Sequence, residues 1–284
     1  MTRVDINRVS KIIQEVAEEH ILPHFRNLKA GDIAYKIGDD PVTIADKNAE
    51  SALSARLLDL LPGSKVVGEE AFASNRSLLE LFLGESPVWI IDPVDGTRNF
   101  VRGSSEFGVI VALAEQNQTL AGWIYDPTSK DVVTVEKGAG TWFNGQRLRV
   151  LPPVELPEMR GFLGDRLLDF KNKSSVINKI EPVFEVMRAG SHEYPRLLLN
   201  QPHFGKEAPQ IHFRASYMYA TPWDEAAGVL MHQEAGGYSA YWNGEAYRPS
   251  LMDRGIALAP NKDSWFELRN WVQSFCELPT ESAA

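Results

Sequence analysis

Near the N-terminus, apolar positions recur at helical rather than alternating intervals. Ile6, Val9, Ile12, Ile13, Val16, Ala17 and Ile21 fall on one stripe, with Glu15, Glu18 and Glu19 between them. This pattern predicts an amphipathic helix whose stripe faces a core. Segment 29–43 is interrupted by Gly31, Gly38 and Pro41 and reads as a loop. A second helix is expected from about Thr43 to Leu61, stopped by Pro62-Gly63. Thr43 is its cap and Asp46 lies in its first turn.

The pattern then turns apolar in short runs. Lys65 to Gly68 reads as a strand that delivers Glu69 and Glu70, and Val88 to Ile91 as a buried strand ending at Asp92-Pro93. Segments 107–114, 120–125, 132–136 and 141–150 are strand-like and predict an antiparallel sheet, punctuated by Asp126-Pro127 and Asn144-Gly145. The proline-rich stretch 151–157 is the best candidate boundary, dividing lobes 1–150 and 151–284. Beyond it a helix is expected over 165–180, a strand over 184–188 and a strand over 256–259. Another helix runs from Pro222, with Thr221 as cap, to Gly236-Gly237, and a last one follows Asn261. The expected class is α/β (α+β), with helices packed on mixed sheets in two lobes.

Composition narrows the function more than the fold. With 44% hydrophobic and 24% charged residues in 284, the chain has the makeup of a folded protein rather than a disordered one. A net charge of −9 argues against general nucleic-acid or anionic-membrane binding. It does not exclude an anionic substrate, because bound metal ions reverse a local field. A single cysteine, Cys276, rules out an internal disulfide, suits a reducing cytoplasm and reads as a packed or surface thiol. No apolar run is long enough to span a membrane, and the N-terminus lacks the apolar region of a signal peptide.

Three acidic segments carry the candidate chemistry: Gly68-Glu69-Glu70, Asp92-Pro93-Val94-Asp95-Gly96-Thr97 and Trp223-Asp224-Glu225. Two aspartates at the carboxyl end of a buried strand repel each other unless something compensates. A divalent cation does so, and oxygen-only ligands select a hard metal such as Mg²⁺. Gly96 lets the backbone turn so that its amide can approach a phosphate. Taken singly, the same residues are also ordinary turn signals, a solvated acidic pair and a helix N-terminus. The three in this order, each at the end of an element, favour the metal reading.

Together these segments resemble the inositol monophosphatase family of lithium-sensitive, magnesium-dependent phosphatases. The Tyr125-Asp126-Pro127 turn, Gly138-Ala139-Gly140, Asn144-Gly145 and Glu234-Ala235-Gly236-Gly237 also sit where that family has them. The resemblance implies a layered α-β-α-β-α sandwich, of the type shared with fructose-1,6-bisphosphatase, and a homodimer. It implies two or three Mg²⁺ ions held by Glu69, Asp92, the Val94 carbonyl, Asp95 and Asp224, with Glu70 behind them. Asp46 and Thr97 resemble the pair that orients the attacking water, in a site whose catalytic set also includes Glu69. The amides of Gly96 and Thr97 would hold the phosphate of a small ester.

Two departures from the family pattern bear on substrate. The stretch Gly190-Ser191-His192-Glu193-Tyr194 carries bulky polar residues where members often have alanines, and Tyr217 stands where inositol-specific members have an acid. Ser191, His192, Glu193, Arg196, Tyr217 and Tyr219 are therefore candidate substrate-side residues, with Ser191, His192 and Tyr217 taken as substrate or phosphate contacts. Arg188 and Arg214 are candidates for a second phosphate or a carboxylate. The leading substrate class is an inositol monophosphate or a sugar phosphate or bisphosphate, with a nucleotide 3′-phosphate or histidinol phosphate as the alternative. A competing class is a regulatory, partner-binding member of the same family.

Overall fold

The computed structural model describes residues 2–36, 39–174, 180–186, 188–198 and 210–279. The N-terminal stripe forms α1 (Ile6–Val16), capped by the Asp5 carboxylate, and continues as a π-helical turn through Ile21. A hairpin of β1 (Ile33–Lys36) and β2 (Asp40–Thr43) follows, where a loop was expected. Its alternation is too short, and too interrupted by Gly38 and Pro41, to stand out from turn composition. Gly38 itself lies outside the described residues. α2 (Ile44–Leu60) starts at Thr43, whose hydroxyl accepts from the Ala45 amide while Asp46 accepts from the Thr43 amide. Thr43 is the cap the sequence led one to expect, and Asp46 makes it reciprocal.

Next come β3 (Lys65–Gly68), α3 (Glu69–Ser74), β4 (Val88–Asp95), α4 (Thr97–Val101), β5 (Gly108–Glu115), β6 (Gln118–Asp126), β7 (Asp131–Glu136), β8 (Gly140–Phe143) and β9 (Gln146–Arg147). The seven strands β3 to β9 form one sheet in sequence order, parallel between β3 and β4 and antiparallel beyond. The strand-like span 141–150 is two short strands paired across the turn expected at Asn144-Gly145, both residues of which take positive φ.

The second half contributes β10 (Arg160–Leu163), α5 (Asp165–Lys173), β11 (Val183–Val186), α6 (Gly190–Leu198), β12 (Phe213–Ala215), α7 (Pro222–Glu234), β13 (Tyr238–Tyr241), β14 (Ile256–Ala259) and α8 (Lys262–Gln273). Its five strands are ordered β11-β10-β12-β14-β13. α5 is shorter than the helix expected to residue 180; residues 175–179 of that span lie outside the described set, as does Met187 of the expected 184–188 strand.

Alternating residues of the first sheet face opposite layers. Trp89, Ile91, Val109, Val111 and Trp123 pack on α1 and α2. Ile90, Ile110, Ala112, Ile124 and Val133 pack on α6 and α7, as do Phe162, Ile256 and Leu258 of the second sheet. The outer face of that sheet, with Leu163, Phe213 and Ala257, is covered by Leu167 of α5 and Trp265 and Leu268 of α8. The order is therefore helix, sheet, helix, sheet, helix. Because both faces of each sheet are covered, its strands read as apolar runs. Among the described residues no helix is long and apolar enough to cross a membrane.

The middle helix layer is tight. A Cβ added to Gly228 of α7 would lie 2.2 Å from the Tyr194 ring of α6. Gly228→Ala is expected to destabilise the fold by roughly 1–3 kcal/mol, through overpacking that outweighs alanine's better helix propensity. Thermal melting of the variant beside the wild type checks this.

Candidate metal and phosphate site

β4 is buried along all of its length, and its pairing with β5 slips near its end: Asp92 lies opposite Ile110 while Asp95 lies opposite Gly108. Three steps on β4 are matched by two on β5, so β4 carries one extra residue. In a regular strand residues three apart point to opposite faces; the bulge brings both aspartates to the same side. Pro93 suits that position, having no amide to offer the ladder.

The chain then turns at Gly96, which has φ +83°. A Cβ there would lie 2.9 Å from the Glu106 carbonyl oxygen and 3.1 Å from the Ala189 methyl. Glycine is required both by the left-handed backbone and by the space. Thr97 follows as the first residue of α4, its hydroxyl 3.2 Å from Asp46 Oδ1 and 3.0 Å from the Val94 carbonyl oxygen. The single hydroxyl proton serves one of these acceptors at a time.

Asp224 arrives from the first turn of α7, with the Thr221 hydroxyl donating to it. One carboxylate oxygen each from Asp92, Asp95 and Asp224 lies within 4.8 Å of the others. The Ser191 amide of α6 donates to Asp95 Oδ2 at 2.7 Å, so both helices of the middle layer reach the cluster.

Glu69 stands at the edge of the cluster, at the start of α3. Its placement depends on Glu50 of α2, which accepts from the Glu70 amide at 2.8 Å and the Ala71 amide at 2.9 Å. A Cβ on Gly68 would fall 2.3 Å from the Glu50 carboxyl carbon. Lys36 Nζ bridges Glu69 Oε1 and Glu70 Oε1, each at 2.7 Å.

The carboxyls respond as crowded, buried acids do. Burial first, and then Glu69, Asp95 and Asp224, push Asp92 well above the carboxylate range. Asp224 is pushed up to about 8, by burial and then by Asp95 and Glu69. Burial also raises Asp95 despite the Ser191 amide, and raises Asp46 despite its bonds from Thr43 and Thr97. Glu70 rises to about 7, chiefly by burial and in spite of Lys36. The cluster thus has excess negative charge in a desolvated place, with oxygen donors only.

Several side chains expected at the substrate do other things. His192 Nε2 lies 3.2 Å from the Phe107 carbonyl oxygen and 4.0 Å from Asp126 Oδ2, between the ends of β5 and β6. The Tyr217 ring packs on Phe170, with the Arg166 guanidinium over it, and its hydroxyl donates to the Glu277 carbonyl. Arg196 pairs with Glu185, and Tyr219 is exposed with φ +65°. Arg214 and Glu193 are corrections: both are buried and bonded to each other, so neither is open to a substrate phosphate.

Sequence reasoning passed over Lys36 and Glu50. Lys36 sat in a stretch read as loop. Glu50 follows Asp46 by one helical turn, on the same buried stripe as Leu53 and Leu57; a carboxylate on an apolar stripe was the signal available.

A profile of the inositol monophosphatase family matches residues 2–277. An inositol-1-monophosphatase of Mesorhizobium japonicum is 30% identical over 242 residues, covering 81% of this chain and 82% of that protein. A Nus factor SuhB of Vibrio cholerae is 30% identical over 222 residues, covering 78% and 79%. The solved structure of a Thermotoga maritima IMPase superposes with a TM-score of 0.74 at 23% identity, over 94% of this chain and 97% of that one. The fold, the acidic motifs and these likenesses agree: the chain belongs to the inositol monophosphatase family.

Proposed function

We propose that this protein is a Mg²⁺-dependent phosphomonoesterase that hydrolyses a small phosphate ester, of the inositol monophosphate or sugar phosphate kind, with water. The observation that carries the reading is the convergence of Asp92, Asp95 and Asp224 within 4.8 Å. A hard cation fits this donor set: it is all oxygen, buried, and repulsive without one. Asp92, Asp95, Asp224, Glu69 and the Val94 carbonyl would hold two or three ions. When bound, these acidify a water and neutralise charge on the leaving oxygen.

The remaining work falls to the chain itself. Thr97 Oγ1 donates to Asp46 Oδ1, which leaves its lone pair to accept from the attacking water and so aim it at phosphorus. Burial raises Asp46 above a surface aspartate, which makes its carboxylate a stronger proton acceptor. The amides of Gly96 and Thr97 hold phosphate oxygens. Water oxygen bonds to phosphorus as the ester oxygen leaves, giving an alcohol and inorganic phosphate. Ser191 and His192 flank the site, whereas Tyr217, packed on Phe170 and bonded to the Glu277 carbonyl, is left out of it. In this reading lobe 1–150 supplies most metal ligands, lobe 151–284 supplies Asp224, and the enzyme works as a cytoplasmic homodimer.

The test is phosphate release from inositol 1-phosphate, fructose 1,6-bisphosphate, adenosine 3′,5′-bisphosphate and histidinol phosphate, with and without Mg²⁺. At least one ester is expected to be hydrolysed only with the metal, and the best one names the substrate class. Folded, Mg²⁺-binding protein that hydrolyses none of them would favour the second reading, a partner-binding role, which the likeness to a Nus factor supports.

A pH dependence follows. The raised acids Asp92, Asp95 and Asp224 take up protons on folding, so the metal-free protein loses their contribution as pH rises above the ordinary carboxylate range, that of Asp224 as pH passes through about 8. Metal binding must displace those protons and then removes the repulsion. The gain in melting temperature from saturating Mg²⁺ is therefore expected to be larger at about pH 8 than at about pH 6. Thermal melts at the two pH values check it, and a gain that shrinks with pH would contradict the assignment.

A further inference from the structure

The middle helix layer contains a charged cluster that the proposed reaction does not use. Arg214 of β12 lies between α6 and α7, with side-chain exposure of 4%, against 5% for Glu193 and 3% for Glu225. Its Nε donates to Glu193 Oε2 at 2.9 Å, and its Nη1 lies 2.7 Å from both oxygens of Glu225. The Tyr194 hydroxyl donates to Glu225, and the guanidinium sits 4.6 Å from the Tyr194 ring centroid.

Each carboxylate is tied to a different part of the site. Glu193 Oε1 accepts from the amides of Arg188 and Ala189, the turn that leads into Ser191. That turn abuts Gly96 through the Ala189 methyl, and the Ser191 amide then donates to Asp95. Glu225 follows Asp224 directly in the first turn of α7. One guanidinium therefore spans the two helices at the points where they hand groups to the carboxylate cluster.

We propose that Arg214 is a positioning residue: by binding Glu193 and Glu225 together it sets the spacing of the Ser191 amide and the Asp224 carboxylate, and so the geometry in which Asp95 and Asp224 meet a metal. This rests on the reading of the cluster as a metal site. A packed apolar trio could hold two helices at the same mean distance. A buried ion cluster is satisfied only over a narrow range of distances and directions, since each oxygen left unpaired in the interior is costly. Lysine offers a compact charge without the fork, and cannot serve both carboxylates with the same geometry.

The experiment compares wild type, Arg214→Lys and Asp224→Asn in full-length protein. Mn²⁺ binding is followed by the loss of the free-ion electron paramagnetic resonance signal, beside kcat, KM and thermal melting. Arg214→Lys is expected to fold, to bind Mn²⁺ about 10–100-fold more weakly and to lose kcat by a similar factor, as do changes behind metal ligands generally, while KM for the best ester moves by less than about threefold. A lower melting temperature with Mn²⁺ affinity and kcat unchanged below it would reduce Arg214 to a structural role and overturn the proposal. If Arg214→Lys does not fold, Glu193→Gln, which keeps shape and one acceptor, is read by the same criteria. Wild type that binds no Mn²⁺ overturns the metal reading itself; wild-type binding lost in Asp224→Asn but intact in Arg214→Lys overturns only this inference.

Discussion

Asp92→Asn is expected to remove Mg²⁺-dependent phosphate release while leaving a protein that folds at least as well as the wild type without metal. Asp92 is buried and faces Glu69, Asp95 and Asp224, so in the metal-free state its ionisation is opposed on every side. A neutral isostere relieves that repulsion, and the metal-free melting temperature should hold or rise. With metal the balance reverses, because an oxygen ligand and a negative charge are lost together. A metal's stabilisation of developing charge amounts to several kcal/mol, and about 4 kcal/mol corresponds to roughly 10³-fold in rate. Phosphate release and melting curves, each with and without Mg²⁺, read both halves. Full activity in Asp92→Asn would remove this aspartate from the site.

Thr97→Val should separate water alignment from metal binding. Valine matches threonine in shape but lacks the hydroxyl that reaches Asp46 and the Val94 carbonyl. Asp46 keeps its bonds from the Thr43 amide and hydroxyl, so α2 stays capped and the fold should tolerate the change. The expected result is a fall in kcat of about 10²–10⁴-fold, the range for a group that directs proton transfer, with Mn²⁺ affinity essentially unchanged. Parallel loss of affinity and rate would mean that the hydroxyl acts on the metal through Val94 rather than on the water. An unchanged kcat would dismiss the Thr97–Asp46 pair.

The two variants probe groups that were legible to different degrees. Asp92, Asp95, Gly96 and Thr97 lie in one short segment, where the apolar run before them announces a buried strand and the glycine a turn. What the segment does not display is the bulge against β5. It depends on register with residues 108–110, and a pairing slip leaves no mark in the strand that carries it. Glu50 and Lys36 went unseen for a related reason. Each acts on Glu69 or its turn from another element, and neither the hairpin nor the helix stripe says what it will face.

The substrate side was the least legible. His192, Glu193, Tyr217 and Arg214 all looked available because polar side chains default to exposed positions. Packing decided otherwise for Arg214 and Glu193, which found each other across β12 and α6 and became interior groups. Nothing in the spacing of two charged residues foretells that they will be buried as a pair; that depends on how closely two layers approach.

By itself, the sequence passed over α3, α6 and the strands β1, β2, β10, β12 and β13. It determined where α1, α2, α5, α7 and α8 begin, which runs of the first sheet from β3 onward are apolar enough to be strands, and which carboxylates stand at element ends. These follow from interactions within a few residues: caps, turns and periodicity. That Asp224 meets Asp92 and Asp95 and that Thr97 reaches Asp46 was implied by the family resemblance and not by any spacing in the chain. The tertiary structure makes those contacts, and it alone decided that Arg214 would join two helices instead of a ligand. Those contacts arise because both sheets must cover their apolar faces with the same middle helices, and the helices carry their polar first turns to one place as they pack.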